Sequence, residues 1–306
     1  MEPIRIEGLS KIYRKGLRQQ KVLALNDLSL TVEEGVIFGF LGPNGAGKST
    51  TIKILSDLIR PTSGRAAIFG KDVRRPEARG PMGYLPENPN YYGFLSSYEL
   101  LAFHAAIHGV SESLMRERGE YLLEMLELTD AAHRPLRTYS KGMVQRAGIA
   151  AALVHDPRVL ILDEPMSGLD PIGRKLVMDL MVHLRAQGKT IFFSTHILAD
   201  VETVCDQIGM IVGGNLVHQG GMETVRSSAV QRYKVAFSGT DSEIQGVSWP
   251  GAAVPRKQAG LYLLEVEPEH LDASIKLIVE NKFQLNTIEP RRQSLEDIFV
   301  TMARKP

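Results

Sequence analysis

Residues 42–50 read GPNGAGKST, placing Gly42, Gly47, Lys48 and Ser49 in the pattern G-x-x-x-x-G-K-S/T. Glycines let backbone N–H groups turn inward around phosphate oxygens, and a helix starting near Lys48 aims the positive end of its dipole at them. Lys48 can then reach the β- and γ-phosphates, while the Ser49 hydroxyl ligates Mg²⁺. A glycine-rich turn that merely contains a lysine is the plain alternative; the strand pattern before it and the helix pattern after it argue against that. A second group lies in VLILDEP, where four apolar residues precede Asp163 and Glu164. A buried strand there delivers two carboxylates to its C-terminal edge, where ligands of open α/β sheets gather. Asp163 would hold Mg²⁺ through water, and Glu164 would polarise an attacking water as general base. The third group is YSKGMVQRAG, residues 139–148, with a serine, a glycine and two basic side chains before a stretch rich in small apolar residues. It reads as the mouth of a helix that receives an anion, a second such site in one chain.

These groups need elements to hold them. The first 30 or so residues alternate short apolar runs, IRIEGLSKIY and LALNDLSLTV, with polar turns, which predicts antiparallel strands. EEGVIFGFLG predicts a strand ending on glycine, and TIKILSDLI the helix after the loop. From Ser96 to about Leu128 the pattern is helical, a helical insertion within a segment of about 90–155. Strands return in PRVLILDEP and KTIFFSTH with the helix RKLVMDLMVHLRAQG between them, so a parallel sheet covered on both faces is expected. The character changes near Gly220 to Arg232. Beyond it YKVAF, LYLLEV, EHLDASIKLIVENK, FQLNTIEP and a final helix from about Ser294 predict a small α+β domain over 232–306, after a first domain over 1–225. No cluster of catalytic residue types stands out in that second part.

Composition narrows the chemistry further. Lys and Arg together number 36 against 35 acids, so the net charge of +1 exerts no global pull on nucleic acid or anionic lipid, and anion binding must come from local sites. The single cysteine, Cys205, excludes an internal disulfide framework and suits a reducing compartment as a buried apolar residue. No apolar run approaches the ~20 residues that span a bilayer, and MEPIRIEGLSKIY has no signal-peptide core. Work at a membrane would therefore require another chain. His104 and His108, at i and i+4, have a spacing that can bind zinc, but a glutamate after the first histidine and a third ligand are missing. RRPEAR, residues 74–79, reads as a solvated turn rather than a nucleic-acid patch.

GPNGAGKST, YSKGMVQR, VLILDEP, SGLDP and STH, in that order, resemble the ATP-binding cassette (ABC) ATPases over roughly residues 3 to 225. The resemblance implies an α/β P-loop NTPase fold, an ABC-type nucleotide-binding domain with a mixed sheet core, an antiparallel β subdomain and a helical insertion. It also implies a dimer paired head to tail, with two ATP molecules sandwiched between the phosphate loop of one subunit and the signature of the other. The loop residues Gly42, Pro43, Asn44, Gly45, Ala46, Gly47, Lys48, Ser49 and Thr50 would then hold ATP. The family's signature is usually LSGGQ, and here it is YSKGM: Ser140 and Gly142 stand, while Lys141 and Met143 replace a glycine and the glutamine. By resemblance, Ser140 donates to the γ-phosphate on the opposite subunit and the Gly142 N–H approaches it. Asp170 links the two sites across the dimer, His196 contacts the γ-phosphate and orients the water, and Tyr13 stacks on adenine. Glu87 falls where the family has a glutamine that senses Mg²⁺ and the γ-phosphate; a glutamate still accepts from metal-bound water but cannot donate.

YSKGM, Glu87 and the ending SLEDIFVTMARKP after a small extra domain resemble the ATPase subunits of ABC-2 type exporters. That implies an ATPase coupled to a separate permease, held peripherally at the cytoplasmic face of the cell membrane, with no nucleic acid as partner. An import ATPase is the nearer rival, although importers more often keep LSGGQ and the glutamine. A soluble ABC protein acting on ribosomes or DNA is the other; those usually carry two cassettes or long coiled-coil insertions, neither of which is present.

Overall fold

The computed structural model describes residues 2–15, 20–223 and 230–292. The chain divides into two compact units, Met1–Met222 and Glu223–Pro306. In the first unit, β1 (Ile4–Lys15) and β2 (Gln20–Val32) pair antiparallel. With β4 (Ser63–Ile68) and β5 (Lys71–Asp72) they form one sheet, in the order β2-β1-β4-β5. Over residues 28–32 of β2 every second side chain, Leu28, Leu30 and Val32, is buried, which is why the sequence there alternates.

The second sheet positions the site. Its order is β10-β9-β3-β8-β7-β6, built from β3 (Ile37–Leu41), β6 (Met82–Leu85), β7 (Val159–Leu162), β8 (Thr190–Thr195), β9 (Gln207–Val212) and β10 (Asn215–Gly221). All neighbours are parallel except β10, which runs antiparallel to β9. Every residue of β3, β7 and β8 is buried, so these strands read as continuous rather than alternating apolar runs. Phe38 and Phe192 stack across β3 and β8 with centroids 5.4 Å apart. Leu41 pairs with Thr195, and Leu162 with Phe193, so the residues that follow, Gly42, Asp163 and His196, all leave the same sheet edge.

Several helices of this unit begin on side-chain caps. After α1 (Lys48–Leu55), α2 (Ser97–Ile107) starts with a capping box between Ser96 and Glu99, and α3 (Glu112–Met125) is capped by Ser111. Ser140 caps α4 (Lys141–Leu153), and Asp170 caps α5 (Pro171–Ala186), with proline at its first position; α6 covers Leu198–Val204. No helix among the described residues is long and apolar enough to cross a membrane.

The second unit holds an antiparallel sheet, β12-β13-β11-β14, from β11 (Val230–Ser238), β12 (Arg256–Gln258), β13 (Leu261–Val266) and β14 (Gln284–Arg292). With α7 (Asp241–Gln245) and α8 (Leu271–Glu280) it is α+β. Phe237 sits at its centre, 5.1 Å from the Trp249 ring and 5.8 Å from Phe283. The helix expected from about Ser294 lies outside the described residues. His104 meets the Tyr91 and Phe103 rings edge-on, and His108 stacks on His155 at 3.7 Å.

Candidate active site

The loop from β3 to α1 is held in shape by backbone that only glycine accommodates. A Cβ on Gly42 would lie 2.4 Å from the Ile211 carbonyl oxygen, and Gly47, at φ +113°, would place one 2.7 Å from the Ala24 carbonyl. The Gly214 N–H donates to the Ala46 carbonyl (2.9 Å), tying the loop to the β9–β10 turn. Lys48 is buried. Its Nζ donates to the carbonyls of Gly42 (2.7 Å) and Pro43 (3.3 Å) and pairs with Glu164 Oε1 at 3.3 Å.

Across the edge, Asp163 is 1% exposed. Burial pushes its carboxyl above the usual carboxylate range, against the Ser194 and Ser49 hydroxyls, which donate to Oδ1 at 2.7 and 3.1 Å. Ser194 Oγ in turn accepts the Glu164 N–H at 2.9 Å, so one hydroxyl sets the relative position of both acids. Glu164 has φ +49°, a left-handed backbone that turns its side chain off the strand at a cost of about 1–2 kcal/mol. Its Oε2 meets His196 Nδ1 at 3.0 Å. Lys48, Glu164 and His196 thus form one connected chain of polar groups at the sheet edge.

A cavity of about 300 Å³ opens in front of them, walled by Asn44, Gly45, Gly47, Lys48, Ser49, Thr50, Glu87 and Glu164. From β2, Ala24 rather than Tyr13 lines it; Tyr13 lies half-buried on β1 with the Lys11 ammonium 5.2 Å from its ring centre. Ser140, Gly142 and Asp170 are not part of that wall. Ser140 Oγ accepts the Met143 N–H at 3.2 Å, and Asp170 Oδ1 accepts the Gly173 N–H at 2.7 Å. Both caps sit on exposed residues, and Lys141 packs beside Gly168. Three residues that motif reading left aside complete the arrangement: Ser194; Gln145, 2% exposed, whose Nε2 donates to the Pro165 carbonyl at 3.2 Å; and Asp200, 2% exposed beside α5. Ser194 lies within STH and Gln145 within YSKGMVQR, motif positions to which the sequence alone assigns no role; Asp200 carries no motif signal of its own.

A family model described as ABC transporter matches residues 25–167. Over 97% of this chain and 83% of the relative, the sequence is 39% identical to an uncharacterized ABC transporter ATP-binding protein of Synechocystis sp.. The chain belongs to the ABC transporter ATP-binding proteins. It is also 34% identical, over 98% of its length and 92% of the relative, to a fluoroquinolones export ATP-binding protein of Mycobacterium tuberculosis. Among solved structures, the ATP-binding subunit of an ABC transporter matches with a TM-score of 0.65 at 32% identity, covering 73% of this chain and 91% of that one. A dimeric post-hydrolysis state of an ATP-binding cassette bound to ADP and Pi matches with a TM-score of 0.66 at 25% identity, covering 72% and 98%. The fold is therefore that of the cassette ATPases, a P-loop NTPase.

The donors at this cassette's cavity suit a magnesium nucleotide. A serine hydroxyl beside a buried carboxylate offers the hard oxygens that Mg²⁺ takes, and the lysine with the helix N-terminus at Gly47 offers charge and N–H groups to phosphate oxygens.

Proposed function

We propose that the chain is the ATP-binding and hydrolysing subunit of an ABC-2 type exporter, working as a head-to-tail pair with a second copy of itself. It energises a separate membrane permease from the cytoplasmic face of the cell membrane. Residues 1–225 form the nucleotide-binding domain, with its helical part at about 90–155, and 232–306 an accessory domain. The observation that carries this reading is the division of the site: Lys48 and Ser49 of the loop engage Glu164 and Asp163, and Glu164 engages His196, at one sheet edge, while Ser140 and Asp170 are engaged only as helix caps and, with Gly142, do not line the cavity. A signature outside its own cavity wall is suited to a partner's.

In this mechanism Lys48 and the loop N–H groups hold the β- and γ-phosphates. Ser49, Asp163 and Glu87 would hold Mg²⁺, which when bound neutralises phosphate charge. Glu164 accepts a proton from the water that attacks the γ-phosphorus; the bond to the bridging oxygen breaks and ADP leaves with that oxygen. His196, engaged by Glu164 through Nδ1, would offer Nε2 to the γ-phosphate. Tyr13, which lies outside the cavity wall, would stack on an adenine reaching beyond it. Closure by ATP and release after hydrolysis then act as a two-state switch.

An apolar surface on the helical subdomain supports a permease partner. Tyr92, Phe94, Phe103 and Ile107 are each more than half exposed; Tyr92 stacks on Phe94 at 5.6 Å, and Tyr91 meets His104 of α2 edge-on. The relative named for fluoroquinolone export supports the outward direction. Two measurements test the proposal. Glu164→Gln should bind ATP, lose turnover and accumulate an ATP-dependent dimer by light scattering; wild-type hydrolysis by this variant would remove Glu164 from the role of base. Native membranes should yield the chain together with a polytopic protein. Recovery only with ribosomes or DNA would overturn the transport role.

A further inference from the structure

Asp200 is a buried acid that the mechanism above does not use. It lies on α6, four residues after His196 in sequence, and is 2% exposed. Its Oδ1 accepts a hydrogen bond from Arg174 Nη2, and its Oδ2 accepts one from Thr195 Oγ1 at 3.4 Å. Thr195 Oγ1 also accepts the Ile197 N–H at 3.0 Å, and the Thr195 carbonyl accepts the Gly42 N–H at 3.3 Å. Thr195 is thus tied to the first glycine of the phosphate loop, to the backbone on the far side of His196, and to Asp200.

Arg174 belongs to a different element. It sits one turn into α5, where its N–H donates to the carbonyl of Asp170, the residue that caps this helix through Gly173. The ion pair therefore joins the helix that carries Asp170 to the segment that carries His196, and through Thr195 it reaches the phosphate loop. Long side chains on opposed helices would not keep this geometry in water; a nearly dry carboxylate with two donors does.

We infer that Arg174 and Asp200 are positioning residues that hold the Asp170 loop in register with His196, so that docking of a second copy at Asp170 is felt at the hydrolysing groups. This rests on the reading of the site as an ATPase. Neither residue touches the reacting atoms; both act through the elements they join.

The test separates positioning from plain stability. Full-length wild type, Arg174→Ala, Arg174→Lys and the double variant Arg174→Ala/Asp200→Asn are compared for Tm and for ATPase kcat and KM. Arg174→Ala leaves Asp200 buried and unpaired, so Tm falls; kcat falls on the order of tenfold, with KM for ATP changed by less than about twofold. Arg174→Lys keeps the charge and recovers part of kcat. The double variant removes the orphaned charge and recovers Tm, yet kcat stays low. Recovery of kcat together with Tm, or a wild-type kcat in Arg174→Ala, overturns the inference. A wild-type chain that hydrolyses no ATP overturns the reading of the site itself, which is a different result.

Discussion

Asp163 carries a conflict that its neighbours relieve only in part. It is buried and its pKa is raised, because burial disfavours the charged form that water would solvate better. A carboxyl whose folded pKa exceeds its unfolded value favours folding below the unfolded pKa and loses that contribution as pH rises through the folded one. Asp163→Asn keeps an oxygen for the Ser49 and Ser194 hydroxyls and discards the charge. Thermal melting of this variant at neutral pH should show a higher Tm than wild type, while Mg²⁺-dependent ATPase activity falls on the order of 10²–10³-fold. A lower Tm with activity intact would remove Asp163 from the metal role. Residue identity made Asp163 and Glu164 visible in the sequence, but not the hydroxyl that places them. Ser194 reaches Asp163 across 31 positions, a contact set by the parallel register of β7 and β8 rather than by local spacing.

At the scale of elements, two helices begin in the same way and are expected to differ in function. Ser111 caps α3 through Leu114 N–H, and Ser140 caps α4 through Met143 N–H. Replacing either by alanine should cost about 1 kcal/mol of stability, read by urea unfolding. Only Ser140→Ala should also lower ATPase kcat, because in the proposed dimer only that hydroxyl would meet a second copy's nucleotide; equal kcat values for the two variants would count against the signature role. The elements were largely legible beforehand. Apolar runs marked the segments of β3, β7 and β8 as strands, with VLIL a buried one, alternating runs marked β1 and β2 as antiparallel strands, and the mixed pattern from residue 232 marked an α+β unit. What was not legible is how elements touch: Gln145 to Pro165 and Arg174 to Asp200 depend on how α4, α5 and α6 pack, and neither pair carries a spacing signal. The left-handed backbone of Glu164 was likewise hidden, since nothing in LDEP distinguishes it from an ordinary strand end.

For the whole molecule, acid should loosen the first unit at His155. Burial, with His108 stacked on its ring, lowers its pKa from 6.5 to about 4, although the Met82 carbonyl 3.1 Å from Nε2 opposes the shift, and its buried Nδ1 has no hydrogen-bond partner. Because the folded state takes up fewer protons than the unfolded chain between those values, the stabilisation is complete above about pH 6.5 and is lost as pH falls toward 4. Discounted for its partial exposure, the loss is about 2 kcal/mol. Urea unfolding across that range should show it in wild type and much less of it in His155→Gln; parallel curves would contradict the assignment. The central claim concerns two copies rather than one: each ATP is enclosed by the phosphate loop of one chain and the signature of another. Lys48→Ala disables a chain's own loop, and Ser140→Arg disables what it lends to its partner, so each homodimer should be inactive. Mixing the two purified variants forms heterodimers in which one site has an intact loop and an intact signature. The ATPase rate of that mixture is the most direct measurement: the account predicts partial recovery of hydrolysis from two inactive proteins, and a mixture as inactive as its components would contradict it.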